Sequence, residues 1–359
     1  MPAPTHGTGA CLQTRGVGAE SFVPLLFEKS RLTVLCQMAV MKAGGAFVLM
    51  DPAHPIRQAQ RLYDELNVNV VLTSDALVNV AGQIGREVIA LAADLSGSFY
   101  QGYNGLEPQR EIGFRNAAYA GFTSGLTGKP KIFVLEDLSV CQALQALCSS
   151  IPVKPQSRLF QFAGYTFDIS IIDHLSALVS RACLCVPSEW ERRNSLADAM
   201  CRYQVDYACL TTSVLRTLRP ADVPGVKTVV QIGEAMASDV VDRWSRMCQL
   251  INAYGPAECA LACSVQERLG PGAEAANIGT CTTGALWVVD RDDYQRLLLI
   301  GAVGELVIEG PQVGRGYMGD PEKTAAAMKN GSGLWFRTPL TRLSPQTLCI
   351  GGLESFVRC

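Results

Sequence analysis

Residues 229–253 read VVQIGEAMASDVVDRWSRMCQLINA. Two short apolar runs, Val229 to Ile232 and Leu250 to Ala253, flank a helical pattern from Ser238 to Arg246. Short, mostly apolar runs, here broken only by Gln231 and Asn252, suit buried strands when bounded by turn residues, and a helix between two of them makes a β-α-β unit. The same alternation recurs on either side. Residues 31–43 read as a helix closed by Gly44-Gly45, Ala46 to Met50 as a strand, and Asp51-Pro52 as its turn. Residues 56–66 read as a further helix and Val68 to Thr73 as a buried strand. Ser170 to Ser180 carries a helical apolar stripe, and Ala182 to Val186 follows as a strand. Such repetition predicts an α/β fold of stacked, mostly parallel sheets flanked by helices. The last third differs. Leu286 to Asp290, Gln295 to Ile300 and Gly304 to Glu309 are short strand patterns split by Gly and Asp, which predicts a smaller, more antiparallel β region. Residues 97–113 read as a surface loop.

The 359 residues are 48% apolar and 18% charged, so a large core is available and disorder is not expected. A net charge of −2 gives no reason to expect a nucleic-acid or anionic-membrane surface. No stretch is long and apolar enough for a membrane span, and residues 1–20 lack the apolar core of a signal peptide. Fourteen cysteines occur without a C-x-x-C pair and beside only three histidines, which points away from zinc and toward thiols in a reducing cytoplasm.

Chemistry concentrates in Thr123-Ser-Gly-Leu-Thr-Gly-Lys-Pro-Lys131, after a predicted strand from Ala117 to Phe122. Glycines let a backbone approach a ligand and expose its N–H groups; hydroxyls and lysines suit phosphate oxygens. The stretch is neither a Walker A loop, since Thr123 takes the first glycine place and Pro130 follows Lys129, nor a nucleophile elbow.

This stretch resembles the phosphate loop of the adenylate-forming superfamily. Four more segments narrow the likeness to adenylation domains of nonribosomal peptide synthetases: Lys42-Ala-Gly-Gly-Ala46 running to Pro55, Phe167-Asp-Ile-Ser170, Asn252-Ala-Tyr-Gly-Pro-Ala-Glu258, and Gly304 to Gly310 continuing to Gly314-Arg-Gly-Tyr317. The resemblance implies the fold of the large N-terminal lobe of such an enzyme and ATP-dependent adenylation of an amino acid, with Mg2+ and a carrier-protein domain as partners. It implies phosphate contacts from Thr123, Ser124, Gly125, Thr127, Gly128, Lys129 and Lys131. Gly233, Glu234, Asn252, Tyr254 and Gly255 would border the adenine, and Glu258 would hold magnesium; Lys131 and Glu258 would be the catalytic pair. Asp168 would meet the substrate's α-ammonium, a role that competes with plain helix N-capping. The remaining pocket wall would be Ile169, Ile172, Cys209, Val230, Ile232, Ala253, Leu261 and Ala262. None is charged, so an apolar amino acid is expected, although each residue could equally be ordinary core.

Departures from the family pattern shape the expectation. Leu126 stands where Ser is usual, Ile132 where Gly is usual, and Ala257 where Thr is usual. Losing one hydrogen-bonding partner at a charged site costs about 1.5–3 kcal/mol, so weakened ATP binding is expected. Pro339-Leu340 take the places of the ribose-binding Gly-Asp. The expected organisation is a poorly matching segment at 1–16, the large lobe at 17–349, and a hinge stub at 350–359 with the C-terminal lobe absent. Two other readings stay open: a non-catalytic relic that binds nucleotide or a partner protein, and an acyl-CoA synthetase-like ligase, which Asp168 disfavours.

Overall fold

The computed structural model describes residues 4–84, 87–93, 113–123, 131–151, 153–299, 302–330 and 334–337. The chain divides into two compact units, Met1–Asp137 with Gly164–Thr166, and Leu138–Ala163 with Phe167–Cys359.

Unit 1 contains, in chain order, α1 (Pro4–Thr14), β1 (Phe22–Leu26), α2 (Arg31–Lys42), β2 (Ala46–Met50), α3 (Ile56–Leu66), β3 (Val70–Ser74), α4 (Val78–Ala81), β4 (Glu87–Leu91), β5 (Ala117–Thr123) and β6 (Lys131–Glu136). Its strands lie in the order β6-β5-β2-β1-β3-β4. They are parallel except for β5 and β6, which are antiparallel. Both β2 and β3 are buried along their whole length; β2 is an unbroken apolar run, and in β3 the hydroxyls of Thr73 and Ser74 donate to Leu26 O at 2.8 Å and Glu28 Oε2 at 2.7 Å. The Gly44-Gly45 stop behaves as expected: α2 ends at Lys42, Gly44 has φ +83, and a Cβ at Gly45 would lie 2.9 Å from Val17 Cγ1. At the predicted turn after β2, the Asp51 carboxylate accepts from the Ala53 amide at 2.8 Å. Residues 97–112 of the expected surface loop lie outside the described residues.

Unit 2 contains α5 (Asp137–Ser150, from Leu138 onward), β7 (Arg158–Phe160), α6 (Ile169–Val179), β8 (Cys183–Cys185), α7 (Glu189–Asn194), α8 (Leu196–Arg202), β9 (Tyr207–Leu210), α9 (Thr212–Thr217), β10 (Thr228–Gln231), α10 (Ser238–Trp244), β11 (Gln249–Tyr254), β12 (Ser264–Leu269) and β13 (Thr280–Cys281). It continues with β14 (Ala285–Val289), β15 (Glu305–Glu309), β16 (Gly316–Tyr317), α11 (Pro321–Ala327), β17 (Met328–Asn330) and β18 (Leu334–Arg337). One sheet runs β13-β12-β11-β10-β9-β7-β8, parallel through β11 and antiparallel beyond it. A second, fully antiparallel sheet runs β14-β15-β18-β17.

Register decides which residues can share a surface. Val230 pairs with Cys209 on β9 and Ile251 on β11, and Gln231 pairs with Leu210 and Asn252. Side chains alternate along a strand. Cys209, Val230 and Ile251 therefore share one face, and Ala253, two residues beyond Ile251, joins them. The opposite face supplies Ala208, Leu210, Val229 and Leu250 to a core that includes Trp244, Val240 and Leu215 from α10 and α9.

One sequence expectation needs correction, and one strand has no counterpart in the sequence reading. Gln295 to Leu299 is not a strand: Leu297 makes only an isolated bridge to Val289, and turns fixed by the Asp290 and Asp293 carboxylates occupy the approach; Ile300 lies outside the described residues. Lys131–Glu136 was not foreseen as a strand, yet it pairs along its length with β5.

Candidate active site

In unit 1, Thr123 and Lys131 are Cα partners where antiparallel β5 ends and β6 begins. The glycine- and lysine-bearing stretch therefore connects two strands of one hairpin. Ser124, Gly125, Thr127, Gly128 and Lys129 lie outside the described residues.

In unit 2, Asp168 occupies the N-cap position of α6 in an αR backbone conformation, and its side chain makes no cap hydrogen bond. Its carbonyl starts the helix by accepting from Ile171 and Ile172 at 2.8 and 3.1 Å. The carboxyl group is thus not consumed by capping. Burial pushes its pKa up to about 6, the Ile169 backbone amide pulls the other way, and the charge of Glu258 raises it further. A carboxylate held against its preference in this way is poised to gain from a cationic partner.

The start of α6 packs over the turn that follows β10. Gly233 in that turn has φ +89, and a Cβ there would lie 3.1 Å from Ile169 Cδ1. Glu234 is exposed and accepts from the Ser213 amide at 2.7 Å. Burial opposes its ionisation, but the hydrogen bonds of Ser213 and Thr211 outweigh that and hold its carboxyl below the ordinary range.

The wall residues inferred from the resemblance, Ile169, Ile172, Cys209, Val230, Ile232, Ala253, Leu261 and Ala262, are all buried. Cys209, Val230, Ile232 and Ala253 project from the same face of the sheet. Behind them lies a polar group that the sequence reading passed over. Asp173, 1% exposed on α6, meets the Cys209 thiol, which also sits 3.7 Å from the Tyr207 hydroxyl. Burial and then the Asp173 charge push the Cys209 thiol well above its ordinary pKa.

Asn252 projects from the other face. Its Nδ2 donates to the Asn277 carbonyl at 2.7 Å, which fixes the 275–277 segment beneath β11. The next residues, Tyr254 to Cys263, form a closed loop: Cys263 N donates to Tyr254 O at 2.7 Å, and a Cβ on Gly255 would lie 2.9 Å from Leu261 O. Only glycine fits so close to a backbone. Leu261 adopts φ +59, a left-handed conformation that a branched side chain enters only when its surroundings impose it.

Within this loop Glu258 is strapped to the segment before β16. Gly314 N donates to Glu258 O at 2.8 Å, and Ala260 N donates to Gln312 O at 2.7 Å. The Tyr317 hydroxyl donates to Glu258 Oε1 at 2.6 Å. Burial and this bond to Glu258 raise the phenol's pKa, so it remains a donor. Tyr317 belongs to the quoted Gly314-Arg-Gly-Tyr317 segment, but nothing in the sequence pairs it with a residue 59 positions earlier. Among the described residues no group of three or more His, Cys, Asp or Glu side chains could cage a metal ion.

Residues 6–318 match the family model described as AMP-binding enzyme. The chain belongs to the AMP-binding enzyme family. It is 42% identical over 312 residues to N-benzoylphenylalaninol synthetase apmA of Penicillium brevicompactum, covering 87% of this chain and 13% of that protein. It is 38% identical over 340 residues to a nonribosomal peptide synthetase of Pyrenophora dematioidea, covering 94% of this chain and 26% of that protein. The chain thus spans a small part of the curated relatives it matches. Among solved structures, it resembles the nonribosomal peptide synthetase FmoA3 with a TM-score of 0.82 at 22% identity, over 96% of this chain and 38% of that one. It resembles VinN with a TM-score of 0.81 at 18% identity, over 94% of this chain and 86% of that one. These likenesses bear out the α/β fold of an adenylate-forming large lobe. No described helix of this family member is long and apolar enough to cross a membrane.

Proposed function

We propose that this chain adenylates the carboxylate of an apolar amino acid for nonribosomal peptide synthesis. A substrate carboxylate oxygen attacks the α-phosphorus of ATP, forming the acyl-adenylate and releasing pyrophosphate. Most of the catalysis in such a step is alignment and charge neutralisation. Asp168 carries the reading. Its carboxyl is free of the cap that its position offers, is half-buried with desolvation raising its pKa to about 6, and stands at the start of a helix whose neighbours Ile169 and Ile172 are buried. An α-ammonium there would satisfy the carboxylate and leave the side chain to Ile169, Ile172, Val230 and Ala253.

The other assignments belong to the same proposal. Lys131, Thr123 and the stretch between them take phosphate oxygens, and Gly233, Glu234, Asn252, Tyr254 and Gly255 border the adenine. Glu258 suits magnesium, because that cation uses one or two carboxylates and completes its shell with water and phosphate oxygens. When bound, the ion would neutralise phosphate charge; the protein's part is to hold Glu258 still. A carrier-protein domain would receive the acyl group, and the reducing cytoplasm is the compartment in which the chain would act.

The test is amino-acid-dependent pyrophosphate exchange on the purified chain, with Asp168→Ala and Lys131→Ala beside it. Both substitutions are expected to abolish exchange, with Asp168→Ala losing amino-acid affinity far more than ATP affinity. Equal loss of both affinities, or exchange surviving Lys131→Ala, would overturn the assignments.

A further inference from the structure

We propose that Tyr317 is the positioning residue for Glu258, setting which carboxylate oxygen is free to meet a cation; this rests on the magnesium role given to Glu258 above. The hydroxyl donates to Oε1 at 2.6 Å, so that oxygen is engaged, and among the described residues no donor meets Oε2, which is left for an outside partner. A phenol is a neutral donor, and its bond fixes the carboxylate rotamer without cancelling the charge that a cation needs.

The placement of Tyr317 is built from several independent contacts. Its backbone N donates to Thr324 Oγ1 at 2.9 Å, and the same hydroxyl donates to Asp320 O at 2.9 Å. The preceding Gly316 has φ +131, and a Cβ there would lie 2.5 Å from Thr324 Cγ2, so the segment closes on α11 only because residue 316 is glycine. Asp320 caps that helix by accepting from the Lys323 amide at 3.0 Å. Tyr317 itself is 9% exposed. From the other side, the Gly314 amide and the Cys259–Val313 bridge hold the Glu258 backbone against the same segment. Two chain segments distant in sequence are thus registered on each other, and the phenol–carboxylate bond is the side-chain contact at their junction.

The local sequence explains why a distant residue takes this task. Ala257 precedes Glu258 and offers only a methyl group, where a hydroxyl could have shared the orienting work. Tyr317 then bears more of it than it would beside a threonine.

The test separates metal affinity from nucleotide affinity. Mn2+ binding to the protein–ATP complex is followed by electron paramagnetic resonance, and ATP binding is measured by calorimetry in excess EDTA and in Mg2+. Tyr317→Phe, which removes only the hydroxyl, is expected to weaken Mn2+ binding about 10- to 100-fold, the usual range for loss of a residue that orients a ligand. ATP binding in EDTA should stay unchanged, while the thermal midpoint should fall, because a carboxylate oxygen left without its donor costs stability. Thr324→Val, which frees the Tyr317 backbone without touching the phenol, should weaken Mn2+ binding in the same direction but less. If Glu258→Gln abolishes metal dependence while Tyr317→Phe leaves Mn2+ affinity intact, the positioning role is wrong and the metal role stands. If Glu258→Gln changes nothing, both are wrong. If Tyr317→Phe lowers metal affinity and ATP affinity in EDTA equally, the residue is structural only.

Discussion

Amino-acid binding should collapse over a narrow acid range, and Asp168 sets where. Its carboxyl titrates at about 6 because burial, and then the Glu258 charge, disfavour the ionised form. An ammonium ion needs the carboxylate. At pH 7 about nine-tenths of the free sites are ionised, and at pH 5 about one-tenth, so the apparent affinity should fall about tenfold between these values. Neither the ammonium nor the carboxylate of an amino acid titrates in that interval, so the effect belongs to the protein. Calorimetry at pH 6 in two buffers of different ionisation enthalpy should register release of about half a proton per bound amino acid. The sign reverses for stability. A carboxyl whose folded pKa lies above its unfolded value of 3.8 makes the native state bind extra protons, so stability falls as pH rises from about 4 to about 6. Asp168→Asn should therefore raise the thermal midpoint at pH 7.5, by an amount equivalent to at most roughly 3 kcal/mol, and do little at pH 4. The same variant should lose amino-acid affinity at every pH. A flat affinity from pH 5 to 7.5, or an Asp168→Asn protein that binds as well as the native one, would refute the amine-binding role.

Other perturbations follow from the close contacts. Gly279→Ala would place a Cβ 2.1 Å from Val265 O at φ +77, so a loss of roughly 2–4 kcal/mol is expected in denaturant unfolding. Asn252→Ala removes the bond to the Asn277 carbonyl and leaves that oxygen without its donor; about 1–3 kcal/mol of stability should go in denaturant unfolding. Gly233→Ala would press on Ile169 Cδ1 at 3.1 Å and strain a left-handed turn, so the KM for the amino acid should rise more than the thermal midpoint falls.

The alternating architecture was legible because its signals are local. Gly44-Gly45 stops a helix, Asp51-Pro52 turns the chain, and the five residues of β2 are apolar without interruption. The strand Lys131–Glu136 escaped notice because its identity comes from pairing with β5, a tertiary fact, while its sequence is one short apolar run before a helix. Gln295 to Leu299 failed the other way: the apolar pattern is present, but the aspartates that precede it fold the backbone into turns. At the candidate site, motif order pointed to Asp168, Glu258 and Gly255. It gave no hint of Asp173 behind Cys209 or of Tyr317 on Glu258, since both depend on segments that only folding brings together.

Neighbouring residues of β11 answer to different masters. Asn252 anchors the 275–277 segment on one side of the sheet, and Ala253 faces the candidate pocket on the other; Val229 and Val230 divide in the same way on β10. A lineage can therefore exchange every second residue of these strands and alter what the pocket accepts, while the hydrophobic layer beneath keeps its composition.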